Sequence, residues 1–370
     1  MPEACFLPGN LAPDARPDST ATARPVESVP RPDNVYASLL ARAQAERRLL
    51  SIHWELTHRC NECCTHCYLA VRPPRAGRGA ELTTAECLNV LDQLADLGAL
   101  YLTLSGGEPL VRQDFFAIAA AARARHLALR IFSNGLAITP AVADRIAGLV
   151  PLAVEVSLYG ADPATHDAIT RRTGSWQKTR RALTLLRERR VPVVIKTPLM
   201  RQNIAHFAAL RTLAAQLGAR FRYDLTITRG IDGAPVPAGH RLTNAELAAF
   251  FSALDPCDPP RSDTSGPRRC AIGQSSLLLA PDGTVYPCTE VRMAAGNVRT
   301  QRLRAIWEEA PLWGEVVALR DAELPACRGC AAANLCRRCH GIALAETGSL
   351  TGAPAVACRE AWARSGVMRG

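Results

Sequence analysis

Long apolar runs are missing from this chain of 370 residues. No stretch approaches the roughly 20 apolar residues that span a bilayer, and the first residues lack the basic-then-apolar pattern of a secretory signal. The sequence therefore reads as a cytoplasmic protein with no membrane partner. Lysine is nearly absent, occurring only at Lys178 and Lys196, so the formal charge of +10 rests on arginine. The arginines are dispersed, with short groups at Arg171-Arg172, Arg180-Arg181 and Arg187 to Arg190 on expected helices. They read as solvated helix faces rather than a stripe for nucleic acid, and nucleic acid is not an expected partner. Attraction of an acidic substrate or partner peptide is the remaining use for that charge.

What the chain has in unusual number is cysteine, 14 in all. Disulfides are disfavoured in the cytoplasm, so metal is the leading employment for these thiols. Three of them form Cys60-x3-Cys64-x2-Cys67, followed directly by Tyr68 and preceded by the strand-like run Leu50 to Leu56. Three thiolates from one short loop can hold three irons of a cubane cluster and leave the fourth iron open to a small molecule. A structural zinc site is the competing reading, but it calls for a second knuckle nearby, and His66 sits inside the loop with poor reach. Cys63 lies off the spacing and reads as structural.

Residues 1–34 are proline-rich without apolar periodicity and read as disordered. Val35 to Leu50 reads as one amphipathic helix, which leaves no room for a folded peptide-binding domain ahead of the core. Strand and helix patterns then alternate. The strands are expected at Ser51–Leu56, Leu100–Leu104, Ala128–Ser133, Ala153–Leu158, Val191–Thr197 and Phe221–Ile227. The helices are expected from a Thr83/Glu86 capping box onward and near Phe115–Arg125, Pro140–Leu149, Trp176–Arg189 and Ile204–Leu217. This alternation predicts an α/β fold with a parallel sheet and right-handed crossovers, with the chemistry at the C-terminal strand ends. A full eight-unit barrel is the structural alternative. Residues 236–262 read as a linker with a short helix capped by Thr243 or Asn244. Beyond it come Cys270, Cys288, Cys327, Cys330, Cys336, Cys339 and Cys358, with a Pro281-Asp282-Gly283 hairpin turn between the first two.

The Cys60/Cys64/Cys67 loop after a first strand resembles the radical S-adenosylmethionine (SAM) superfamily. The resemblance implies a partial (β/α)6 barrel of TIM type over residues 35–235, with a small cysteine-rich C-terminal domain over residues 263–370. It implies a 4Fe–4S cluster whose free iron binds SAM, and reductive cleavage of SAM to a 5′-deoxyadenosyl radical. Ser105-Gly106-Gly107-Glu108-Pro109 is similar to the family's strand-end GGE motif beside the SAM amino group. Ser133-Asn134-Gly135 and Ser157 are similar to later strand-end SAM contacts. Tyr68, Gly106, Gly107, Glu108, Ser133, Asn134, Ser157, Arg171, Lys196 and Leu199 are the implied cofactor-binding residues. Arg171 stands in for an Arg that many relatives carry one position earlier, where this chain has Thr170. Tyr223 and Asp224 on the sixth strand are the catalytic candidates. The seven later cysteines resemble the SPASM extension, which usually binds two auxiliary 4Fe–4S clusters. Carried over, Cys327, Cys330, Cys336 and Cys358 would hold the outer cluster, and Cys270, Cys288 and Cys339 the inner one, which is left with an open iron or completed by Cys257.

Enzymes of this kind mostly modify peptides or proteins, so a maturase acting on a peptide or protein by crosslinking, oxidation or decarboxylation is the first functional expectation. An enzyme acting on a tetrapyrrole or other small molecule is the second, and a non-catalytic iron–sulfur or zinc protein the third. The implied partners are a substrate peptide, a separate leader-recognition protein, and a reductase, flavodoxin or ferredoxin as electron donor.

Overall fold

The computed structural model of the chain describes residues 35–69, 81–234, 239–254, 270–319 and 324–366. The expectations for residues 1–34 and for Cys257 lie outside these residues, as does much of the linker. In chain order the elements are α1 (Val35–Ala45), β1 (Ser51–Thr57), α2 (Thr84–Asp96), β2 (Tyr101–Gly106), α3 (Phe115–Ala124), β3 (Ala128–Ser133), α4 (Pro140–Gly148), β4 (Ala153–Ser157), α5 (Pro163–Thr170), α6 (Ser175–Glu188), β5 (Val193–Pro198), α7 (Phe207–Gln216), β6 (Arg220–Asp224) and α8 (Asn244–Ala253). Then follow β7 (Ser276–Leu279), β8 (Thr284–Tyr286), β9 (Gly296–Asn297), α9 (Leu303–Glu309), α10 (Leu312–Ala318), α11 (His340–Thr347) and α12 (Ala355–Arg364).

The six parallel strands β1 to β6 lie side by side in chain order, each joined to the next through helix, which is the partial (β/α)6 barrel. One face of each strand is apolar and packs under the helices: Ile52, Trp54 and Leu56 on β1, Leu102 and Leu104 on β2, Leu129 and Ile131 on β3, all fully buried. Burial at about 25 cal/mol per Å² makes this layer the main stabilising term. The alternate positions carry polar side chains. Buried Glu155 on β4 meets Arg130 of β3 at 3.4 Å, Arg222 of β6 at 3.2 Å and Lys196 of β5 at 3.9 Å. The His53 ring meets Ser105 Oγ across β1 and β2.

Among the described residues the sheet order departs from the eight-unit alternative. β6 is one edge of the sheet, and the far side of β1 pairs in parallel with β7, Ser51 opposite Ser276. β7 turns back through Asp282 and Gly283 into antiparallel β8, and β9 follows, so one nine-stranded sheet runs through both halves of the chain. The first helix is shorter than expected. It stops at Ala45 because Arg47 turns into the left-handed region at φ +50°, and Leu50 and Ser51 both donate their N–H groups to Ser275 O instead. The Thr83/Glu86 capping box forms, and a second joins Thr243 to Glu246, so Thr243 and not Asn244 caps α8.

Candidate functional site

The cysteine loop leaves β1 at its C-terminal end and is tied down from three sides. Gly107 N–H donates to Thr57 O at 2.8 Å and Glu108 N–H to Arg59 O at 2.9 Å, which join it to the end of β2. Cys63 N–H donates to Thr170 O and Thr65 N–H to Ile169 O, which join it to the end of α5. Arg172 Nη1 donates to Asn61 O at 2.7 Å, and Asn134 Nδ2 to Asn61 Oδ1 at 2.6 Å. The two glycines of the β2 end have a steric reason of their own. A Cβ on Gly106 would stand 2.1 Å from Thr57 O, and one on Gly107 2.3 Å from Arg59 O, so only glycine lets the loop approach.

Among the described residues no three His, Cys, Asp or Glu side chains stand ready-gathered as a metal site, but the three thiols of this loop feel one another's charge. Burial pushes the Cys60 thiol up to about 12, with Glu108, Glu62 and Cys67 adding to the rise. Burial drives Cys64 well above its ordinary value too, with Glu62, Cys67 and Cys60 contributing. Three thiolates so placed are unfavourable without a cation among them, which is the donor chemistry an iron–sulfur cluster requires. Glu62 Oε1, Thr65 Oγ1 and His66 Nδ1 in the same loop are buried without a hydrogen-bond partner, as a loop built around a further group would leave them. The donor types of this loop fit the cluster. The Cys63 side chain is exposed, while its backbone N–H ties the loop to α5.

The strand-end residues are brought together, but partly onto each other. Glu108 is fully buried and accepts Asn134 N–H at 2.7 Å, Ser133 Oγ–H at 3.0 Å and Leu110 N–H at 3.1 Å. Burial pushes its carboxyl up to about 7 against those bonds. The Ser157 hydroxyl is bonded to Tyr159. Lys196 lies 3.9 Å from the Phe132 ring centroid. Leu199 is a core residue, fully buried in an apolar cluster with Leu225, Leu242, Leu247 and Phe250. Arg171 is exposed at the C-cap of α5, with φ +54°, while the next residue, Arg172, reaches the cysteine loop. Tyr223 packs edge-on against Phe207 and Phe250. Asp224 is exposed at the end of β6.

The later thiols fall into two groups. Burial raises Cys288 to about 12, with Cys339 and Cys270 adding to it. Burial raises Cys336 to about 11, with Cys358, Cys327 and Cys330 adding to it. Gly341 follows the Cys339 end closely, and a Cβ there would lie 2.4 Å from Glu290 Cβ, so the Cys288 loop and the start of α11 are in backbone contact. Between this region and the cysteine loop lies a cavity of about 450 Å³, lined among others by Tyr68, Arg229, Arg241, Glu290, Arg292 and Glu346. Its Arg241 and Glu346 pair at 2.7 Å. Sequence reasoning missed Asn61, Arg172, Glu55 and Arg292; only Arg172, one place beyond the Arg171 candidate, had a signal.

Residues 54–214 match the radical SAM superfamily, and residues 270–340 match the SPASM iron–sulfur cluster-binding domain. The chain is 30% identical to the mycofactocin maturase MftC of Mycolicibacterium smegmatis, over 86% of each chain. It is 30% identical to the PqqA peptide cyclase of Ruegeria pomeroyi, covering 79% of this chain and 83% of that one. It is 27% identical to the AdoMet-dependent heme synthase of Methanosarcina barkeri, covering 80% and 93%. In fold it is similar to Streptococcus suis SuiB bound to S-adenosylmethionine, with a TM-score of 0.66 at 18% identity over 88% of this chain and 83% of that one. The chain belongs to the radical SAM superfamily and carries a SPASM iron–sulfur domain.

Proposed function

We propose that this enzyme is a maturase of a peptide or protein substrate. The observation that carries this reading is the likeness to a mycofactocin maturase and to a peptide cyclase, each over more than three quarters of the chain. When bound, the cluster supplies the electron that cleaves SAM to methionine and a 5′-deoxyadenosyl radical, which takes a hydrogen atom from the substrate. Cys60, Cys64 and Cys67 would hold that cluster. Tyr68, Gly106, Gly107, Glu108, Ser133, Asn134 and Ser157 would hold SAM, directly or by keeping the loop in place. Lys196 lies farther along the strand ends. Arg172 replaces Arg171 as the candidate that reaches the loop, and the buried position of Leu199 supports no cofactor contact. Asp224, exposed at the end of β6, is the acid/base candidate, whereas Tyr223 is engaged in the aromatic cluster.

Two auxiliary clusters complete the reading, one on Cys270, Cys288 and Cys339 and one on Cys327, Cys330, Cys336 and Cys358. The electrostatic grouping of the thiols supports this division. The cavity between the two cysteine regions admits the substrate segment. An electron-donating flavodoxin, ferredoxin or reductase is required by the chemistry, and a separate recognition protein is the proposed carrier of a leader-bearing substrate.

The test is anaerobic reconstitution followed by mass spectrometry with the short peptides encoded beside this gene. A mass change in one peptide, dependent on SAM and reductant, is the expected result. The likeness to a heme synthase supports a second reading, in which the substrate is a tetrapyrrole. Turnover of a porphyrin with every peptide unchanged would establish that reading and overturn the first.

A further inference from the structure

Three side chains converge on one carboxylate at the seam between the barrel and the C-terminal region. Glu55 on β1 is fully buried. It accepts Arg292 Nη2 at 2.7 Å and Nη1 at 3.0 Å, accepts the Tyr68 hydroxyl at 2.9 Å, and lies 3.2 Å from His58 Nε2. Tyr68 directly follows Cys67, and Arg292 stands four residues after Cys288. Arg292 Nε also donates to Thr289 O at 3.0 Å, which folds the segment after Cys288 onto the same side chain. The guanidinium lies 5.8 Å from the Tyr68 ring centroid and 5.5 Å from that of Tyr286. Tyr68 and Arg292 both line the cavity of about 450 Å³.

We propose that the Glu55–Arg292 pair is a clasp that holds the Cys288 loop against the Cys60–Tyr68 loop, and so fixes the spacing of the two cluster-bearing walls of the substrate cavity. Both are positioning residues, acting through Tyr68 and the Cys288 loop. A buried contact between two loops could be made by apolar side chains at no electrostatic cost. A carboxylate gripped by both prongs of a planar guanidinium instead sets distance and orientation together. Removing one partner leaves the other charged and buried, so the clasp is strongly held only while complete. The inference rests on the reading that both cysteine sets carry iron–sulfur clusters.

The experiment compares the unmodified full chain with Arg292→Met, Arg292→Lys and the double variant Glu55→Gln/Arg292→Met, all reconstituted anaerobically and free of substrate. The readouts are amide hydrogen exchange and the electron paramagnetic resonance spectrum of the reduced auxiliary clusters. In Arg292→Met, exchange is expected to rise about tenfold or more in both the 64–69 and the 286–293 segments. The β3 and β4 amides are expected to stay unchanged, and the auxiliary spectrum to change shape. Arg292→Lys is expected to fall between, because an ammonium cannot grip both oxygens in the guanidinium's fixed fork. A rise confined to 286–293, with 64–69 and the spectrum unchanged, would overturn the proposal. Should Arg292→Met fail to fold, the double variant carries the same readout without a lone buried charge, and unchanged exchange in both segments overturns the clasp. Failure of the unmodified chain to take up iron overturns the cluster reading instead, and leaves the exchange comparison standing on the iron-free protein.

Discussion

The backbone N–H of Asn134, at the end of β3, donates to the buried carboxylate of Glu108, at the end of β2, at 2.7 Å. Ser133 and Leu110 donate to the same group, so Glu108 is a strut between two strand ends before it is anything else. The Glu108→Ala change leaves those three donors unpaired in the interior and is expected to cost about 3 kcal/mol. Asn134 then also loses its place against Asn61 and the cysteine loop. Denaturant midpoints with and without reconstituted iron measure this. A variant as stable as the parent would show that water replaces the carboxylate without loss.

Changing Cys60, Cys64 and Cys67 together to Ala is expected to remove about four irons per chain. All SAM cleavage should go with them, while the other thiols keep their iron. Iron analysis and chromatography of 5′-deoxyadenosine give the two numbers. Retained cleavage would place the radical chemistry elsewhere.

Three cubanes imply about twelve irons in the unmodified chain. Cys327→Ala is expected to damage the outer auxiliary cluster and lower product formation more than SAM cleavage, because the radical cluster has its own ligands. About four irons with stoichiometric zinc would refute the auxiliary assignment. Equal loss of both activities in a folded variant would show that the clusters do not act separately.

Acid should destabilise the fold through two histidines, His166 in the interior and His53 half-buried on β1. Burial lowers His53 to about 4, against the opposing pull of Glu55, and lowers His166 to about 4 against Asp167. The unfolded chain takes up these protons near the ordinary histidine value of about 6.5, before the folded chain does. Stability is therefore full above that value and falls as pH drops from about 6.5 toward 4, by up to about 1.4 kcal/mol per pH unit for each group. Denaturation at stepped pH checks the slope. His166→Gln should flatten it by about one proton.

The six barrel strands were legible because an apolar face repeats every second residue under helices that repeat every three or four. The cysteine spacing and the strand-end glycines were legible because close backbone approach admits few residue types. Other features had no local signature. Glu55 and Arg292 are 237 positions apart, and neither interrupts a pattern. Leu199 follows a strand in the manner of a site residue, yet Leu225, Leu242, Leu247 and Phe250 pack with it and make it core. Arg171 is exposed at the left-handed C-cap of α5, while Arg172, one position on, reaches the loop, a one-residue difference no sequence pattern reveals.

The pairing of β7 with β1 bears on how the chain is made. The first strand of the barrel has its second neighbour supplied by Ser276 to Leu279, more than two hundred residues later. During synthesis, β1 emerges with one side of its backbone open until that segment leaves the ribosome, and an open edge is a template for association with other chains. Loop closure over such a distance is also slow. A chain ended before Ser276 is therefore expected to sediment as aggregate even with the barrel otherwise complete, and adding residues 270–319 in trans is expected to rescue part of it. The loop that carries Cys60 hangs from that same strand, so iron delivery should succeed late in synthesis, after the edge has closed.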